Sequence, residues 1–193
     1  MWARLGRPLL LAILCLVALP LGASAGETLH IGSARGTIDF SIGDSRVFRT
    51  TGSFKEWQGT LTGDDADASR SSVEVTVKTA SISMLDSQQT ATLKDTDYFA
   101  VEQFPEMRFR STSVQRTSDT TLVVLGDVTL RGITRPMRLD VTMTDRRSNA
   151  APGQRYARFQ ATGSIKRSEF GMTKFIDLVC DTVDISIRAD AWR

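Results

Sequence analysis

Stretch after stretch of this chain alternates strictly between apolar and polar residues, and that pattern limits its fold more than any other feature. Ile38, Phe40 and Ile42 alternate with Thr37, Asp39 and Ser41. Val73, Val75 and Val77 do so with Ser72, Glu74, Thr76 and Lys78. Met107 and Phe109 alternate with Arg108 and Arg110, and Val128 and Leu130 with Asp127 and Thr129. Further on, Met137, Leu139, Val141 and Met143 oppose Arg138, Asp140, Thr142 and Thr144. Ala157, Phe159 and Ala161 oppose Arg158, Gln160 and Thr162, and Val183, Ile185 and Ile187 oppose Asp184, Ser186 and Arg188. A side-chain period of two describes strands with one wet and one dry face. Such strands belong to antiparallel sheets.

Turn chemistry separates the strands at Gly63-Asp64-Asp65, Ser118-Asp119, Arg131-Gly132 and Ala151-Pro152-Gly153. Residues 145–155 read as a surface loop. Only residues 84–98 break the alternation. There Ser83 and Asp86 resemble a capping box, and Leu85, Gln89 and Leu93 would share one helical stripe, so a short helix is expected. Pro105 lies beyond it and cannot continue a helix. One short helix cannot cover the dry faces of about eight strands, so the sheet must close on itself as a sandwich or barrel. Alternation does not say whether the interior is filled or hollow.

Residues 1–25 stand apart. Arg4 and Arg7 precede an apolar run from Leu9 to Leu21, which ends in Ala23-Ser24-Ala25. This is the layout of a cleaved secretory signal, with residues 26–193 as a single exported domain, periplasmic in a bacterium. The formal net charge of +2 is carried by those two arginines, so the remainder is neutral. Neutrality offers no footprint for nucleic acid and none for an anionic membrane. Cys180 is the only cysteine after the signal, which excludes an intramolecular disulfide; it reads as a small half-buried strand residue.

The single histidine, His30, reads as a solvated residue near the mature start. No His/Cys cluster has zinc spacing, no glycine-rich loop carries a phosphate-binding lysine, and no nucleophile–base pair stands out. The acidic groups Asp64-Asp65-Ala66-Asp67 and Asp95-Thr96-Asp97 lack the spacing of a calcium loop and read as solvated turns. No metal or cofactor is expected. The aromatics Phe40, Phe54, Phe109 and Phe159, with Trp57 and Phe99 nearby, serve equally as core packing or as the lining of an apolar cavity.

Several longer motifs carry a family resemblance from about residue 36 to residue 190. They are Gly52-Ser53-Phe54 with Trp57-Gln58-Gly59-Thr60, Val75-x-Val77 leading to Ala80-Ser81-Ile82, and Leu93-Lys94-Asp95-Thr96-Asp97-Tyr98-Phe99 followed by Phe104-Pro105-Glu106-Met107-Arg108-Phe109. Gly126 to Pro136 and Ile165 to Met172 complete the set. In these the chain resembles the YceI-like proteins, exported bacterial polyisoprenoid-binding proteins with a lipocalin-like barrel. It departs from them at Gly43-Asp44, where many members carry a histidine, and at Gln89-Thr90, where many carry Arg-Asp.

The resemblance implies a mainly β, antiparallel barrel of about eight strands that holds a polyisoprenoid or fatty-chain lipid. Phe40, Phe54, Val75, Val77, Phe109, Val124, Leu139, Phe159, Val183 and Ile185 are expected on the inner face, and residues 84–99 are expected to shape the mouth. Arg167 and Asp97 are expected in a structural ion pair or turn bond, with head-group contact as the alternative. The resemblance also admits a homodimer. A ligand-free, filled barrel acting through its outer surface is the second reading. An enzyme for a hydrophobic substrate is the third, and it lacks a histidine to serve it.

Overall fold

The computed structural model describes residues 27–43, 49–64, 67–147 and 155–193. The signal segment 1–25, Asp44, Asp65 and the turn Ala151-Pro152-Gly153 lie outside these described residues. The strands are β1 (Glu27–Gly32), β2 (Gly36–Ile42), β3 (Thr50–Phe54), β4 (Trp57–Gly63), β5 (Ser72–Lys78), β6 (Ile82–Met84), β7 (Glu106–Arg116), β8 (Thr121–Leu130), β9 (Ile133–Arg146), β10 (Arg155–Lys166) and β11 (Thr182–Trp192), with one helix, α1 (Ser87–Lys94).

These segments make a closed antiparallel barrel of eight strands. The ring runs β1, β4, β5, β7, β8, β9, β10, β11 and returns to β1 through His30 opposite Trp192. The remaining three segments extend strands already in the ring. β2 continues β1 after a single turn at Ser33–Arg35, β3 precedes β4, and β6 follows β5 after a turn at Thr79–Ser81. β2 pairs with β11 and β3, and β3 with β6, so the three breaks fall side by side. Such interruptions bend a sheet sharply enough to close it. The first is tight: a Cβ on Gly36 would lie 2.4 Å from the Arg188 carbonyl oxygen.

The turn expected at Arg131-Gly132 joins β8 to β9 as a two-residue hairpin, Leu130 opposite Ile133. Both turn residues have positive φ, 53° and 72°, as the hairpin turns that match strand twist require. Arg131 then reaches back, its guanidinium donating to the Thr96 carbonyl at 2.7 Å and to the Tyr98 carbonyl.

The helix is shorter than the expected 84–98. β6 keeps its pairing with β3 through Met84 opposite Gly52, which delays the helix start. Asp86 is the N-cap, its Oδ1 accepting from the Gln88 and Gln89 amides at 2.6 and 3.1 Å. Ser83 takes no capping role; it lies in β6 opposite Ser53. Leu85 precedes the helix and is fully exposed, so the expected stripe does not form. α1 is tied to β6 by the Thr90 hydroxyl, which accepts from the Met84 amide at 3.0 Å.

Candidate ligand-binding cavity

The dry faces of the eight strands meet around a cavity of about 490 Å³, within the range of small-molecule sites. Much of its wall comes from the alternating segments read in the sequence, and β1 and β4, which that reading did not include, complete it. β1 and β2 supply Leu29, Ile31 and Ile38, β4 Trp57 and Leu61, and β5 Val73, Val75 and Val77. β7 to β9 supply Met107, Phe109, Val114, Leu122, Val124, Val128, Leu130, Met137, Leu139, Val141 and Met143. β10 and β11 add Phe159, Ala161, Ile165, Ile185, Ile187 and Ala189.

Seven of the ten residues expected on the inner face line this cavity: Val75, Val77, Phe109, Val124, Leu139, Phe159 and Ile185. Phe40, Phe54 and Val183 also point inward but stand outside its wall. They are 8 %, 6 % and 9 % exposed and pack with one another's neighbours in the core. The Phe40 and Phe54 rings are 5.7 Å apart, and Phe54 meets Phe99 edge-on at 5.6 Å. These rings fill the barrel at the helix end. Parity put all three on the correct face; their height along the barrel takes them out of the cavity.

The mouth differs from the sequence expectation. Among the described residues, none from 78 to 106 belongs to the wall, and Phe99 serves the closed end. Seven of the eight polar residues of the wall gather at the opposite end, Glu27, Asp64, Ser71, Ser72, Arg116, Arg146 and Tyr156, while Arg108 borders it near the start of β7. The seven sit at the outer ends of β1, β4, β5, β7, β9 and β10, because only there does an inward position meet water. The rim is ordered by charge pairing. Arg193 pairs with Glu27, which raises the arginine pKa, and Arg70 pairs with Asp64 at 3.2 Å. Arg146 Nη2 donates to the Tyr156 hydroxyl at 3.0 Å, and the Arg146 and Arg193 guanidiniums stand 5.6 and 5.1 Å from the Tyr156 ring centre.

Arg167 lies away from the cavity wall. It is 4 % exposed and donates to five backbone carbonyls, those of Cys180 (3.1 Å), Met172 (2.7 Å), Lys174 (2.8 Å), Phe175 (3.3 Å) and Val179 (3.0 Å). It holds the loop before β11 in shape. Asp97 pairs with Lys174 of that loop, which raises the lysine pKa. Both residues therefore take structural roles, without pairing with each other. Cys180 belongs to this loop and is exposed, rather than half-buried in a strand. His30 is exposed in β1, its ring 6.4 Å from that of Trp192.

A larger depression of about 940 Å³ crosses the outer faces of β9 to β11, β2, β3 and β6. Ser41, Thr51, Ser53, Thr162, Ser164 and Ser186 line it with Asp39, Arg49, Lys55, Arg138, Asp140 and Asp184, and so do Phe40, Met84, Leu85 and Ile185. That wall is mixed, with six charged side chains among its lining. The smaller interior cavity is the one matched to an apolar guest.

A family model for the YceI-like domain matches residues 29–191. The UPF0312 protein of Serratia proteamaculans is 32% identical over 156 residues, which span 81% of this chain and 80% of that one. Protein YceI of Salmonella arizonae is 31% identical over 139 residues, 72% of each chain. Among solved structures, Burkholderia cenocepacia BcnA has the same fold with a TM-score of 0.71 at 24% identity, over 81% of this chain and 96% of that one. A polyisoprenoid binding domain from Saccharophagus degradans, described as implicated in plant cell wall breakdown, matches with a TM-score of 0.61 at 13% identity, over 86% and 98%.

Proposed function

The chain belongs to the YceI-like family, and from that premise we propose that it is a binding protein, not an enzyme, that holds a polyisoprenoid or other long-chain lipid inside its barrel. One observation carries the reading: the interior is hollow, its wall is mainly aliphatic, aromatic and thioether, and all its polar residues but Arg108 gather at one rim. Each CH₂ transferred into such a wall contributes about 0.8 kcal/mol, so a chain of several isoprene units binds without an ion pair. A uniform apolar lining discriminates weakly among chains of similar width. The polyisoprenoid-binding description of the Saccharophagus degradans domain, which shares the fold, supports the same ligand class. The hollow interior weighs against a filled barrel acting only through its surface.

Export to the periplasm completes the reading. It is supported by Arg4, Arg7, the apolar run from Leu9 to Leu21 and the small residues Ala23-Ser24-Ala25. Pairing of two copies is part of the proposal as well. Phe175, Ile176, Leu178 and Val179 stand exposed on the loop before β11, and sedimentation of the purified protein tests it.

Mass spectrometry of an organic extract from natively purified protein tests the central claim. A polyprenyl or acyl species at about one per chain supports it. An empty extract after expression in an exporting bacterial host overturns it.

A further inference from the structure

Three β-bulges interrupt the pairing of the described strands, and each one changes which side chain reaches the cavity mouth. Between β7 and β8 the register shifts from Ser111 opposite Gly126 to Ser113 opposite Leu125. Between β9 and β10 it shifts from Met143 opposite Phe159 to Asp145 opposite Arg158. Between β10 and β11 it shifts from Arg155 opposite Trp192 to Ala157 opposite Ala191. A bulge adds one residue to one strand, which inverts the face of every later position.

Unbroken alternation from Met107 and Phe109 would turn Arg116 to water. From Met137 to Met143 it would do the same to Arg146. With the bulges, Arg116 stands opposite Leu122 and Arg146 opposite Ala157, and both arginines line the cavity. Tyr156 is the extra residue of β10 and joins them in the wall. Bulges re-aim side chains next to functional sites, and here each of the three brings a hydrogen-bond donor to the mouth.

These side chains are accessible, since Arg116 and Arg146 are exposed and Tyr156 is half-buried. The Tyr156 hydroxyl accepts from Arg146 Nη2 at 3.0 Å and keeps its own proton to donate. Arg116 Nη1 reaches only the Asp119 carbonyl, at 3.5 Å, the long limit of such a bond. The two carboxylates of the wall already have guanidiniums of their own. Glu27 pairs with Arg193 and Asp64 with Arg70, and neither of those arginines lines the wall.

We propose that Arg116, Arg146 and Tyr156 form a head-group site at the mouth for an anionic lipid, one whose chain ends in a carboxylate or a phosphate. This inference rests on the lipid-binding reading of the cavity and sets the guest's direction. An ionised head is costly to bury in an apolar wall, so the chain enters tail first and its charge stays at the rim. Guanidinium forks match both carboxylate and phosphate oxygens.

The experiment compares tetradecanoic acid, tetradecyl phosphate and tetradecanol, each displacing a fluorescent phenylnaphthylamine dye from the protein at about pH 8, where both acids are ionised. The wild type is expected to prefer at least one of the acids over the alcohol by about tenfold, and the acid that binds tighter identifies the head group. Arg116→Gln and Arg146→Gln should each lower that preference by about threefold or more. Arg110→Gln removes the same charge from the wet face, where Arg110 pairs with Glu74 at 3.0 Å, and should leave it in place. Equal binding of acids and alcohol by the wild type, or a loss in Arg110→Gln as large as in the rim variants, overturns this inference and leaves the cavity reading intact. Failure of all three chains to displace a bound dye overturns both. If the rim variants do not fold, salt decides with the wild type. The preference for the acid should fall by about threefold or more in about 0.5 M sodium chloride, and a preference that salt does not move overturns the site.

Discussion

Phe40 lies over Gly52 on the neighbouring strand, so closely that a Cβ at Gly52 would sit 2.3 Å from the Phe40 Cζ. The missing side chain on β3 gives the ring room to lie across the barrel, where Phe54 and Phe99 complete the packing. This contact marks where the barrel changes from hollow to filled. Gly52→Ala must displace the ring, and overpacking of this kind costs about 1–3 kcal/mol. Urea denaturation is the check, with Phe40→Leu in the Gly52→Ala background expected to recover part of the loss.

In the cavity itself, replacing Phe109 or Phe159 with aspartate places an unpaired carboxylate in the apolar wall, which is costly to bury. Copurifying lipid should be lost, as read by mass spectrometry of the extract. Phe159→Leu, which keeps the wall apolar, should retain it. A folded aspartate variant with an unchanged lipid yield would contradict the assignment of these residues to the wall.

Arg167 makes a different demand. Its guanidinium is buried and ties five carbonyls of one loop together, so Arg167→Leu should destabilise by about 3–5 kcal/mol. Arg167→Lys should recover little, because an ammonium cannot span acceptors spread over residues 172–180. Chemical denaturation measures the loss, and limited proteolysis should cut the loop around Phe175 first.

The Asp181 carboxylate adds a pH dependence to the same loop. Burial pushes its pKa up, but the Ser168 hydroxyl and amide, donating at 2.7 and 2.9 Å, outweigh that with help from the nearby Arg167 charge. The pKa is therefore held below the usual 3.8. A carboxylate with a lowered folded pKa stabilises above its unfolded value, and the contribution fades as pH falls through the folded value. Wild-type stability should therefore drop more steeply below about pH 4 than that of Asp181→Asn. Near neutral pH the variant should be less stable by about 1 kcal/mol. Parallel denaturation series at neutral and acid pH read both effects.

The amino-acid sequence by itself determined seven of the strands, β2, β5 and β7 to β11, and the face most of their residues take, while β1, β3, β4 and β6 carry no such clear alternation. Side-chain direction along a strand follows from the local backbone, so Val75, Phe109, Leu139 and Phe159 were legible as inward-facing before any pairing was known. Height along the barrel was not legible. Phe40 and Val75 have the same parity, yet one packs solid and the other lines a cavity. Their heights depend on register between strands far apart in the chain and on the bends between β1 and β2, β3 and β4, and β5 and β6. The location of the mouth, the shortened helix and the carbonyl cage of Arg167 have the same origin. Only the closed tertiary structure brings the outer ends of β1, β4, β7 and β9 to one rim. Alternation is a short-range property written residue by residue, whereas a cavity is the space left once every long-range pairing has been made.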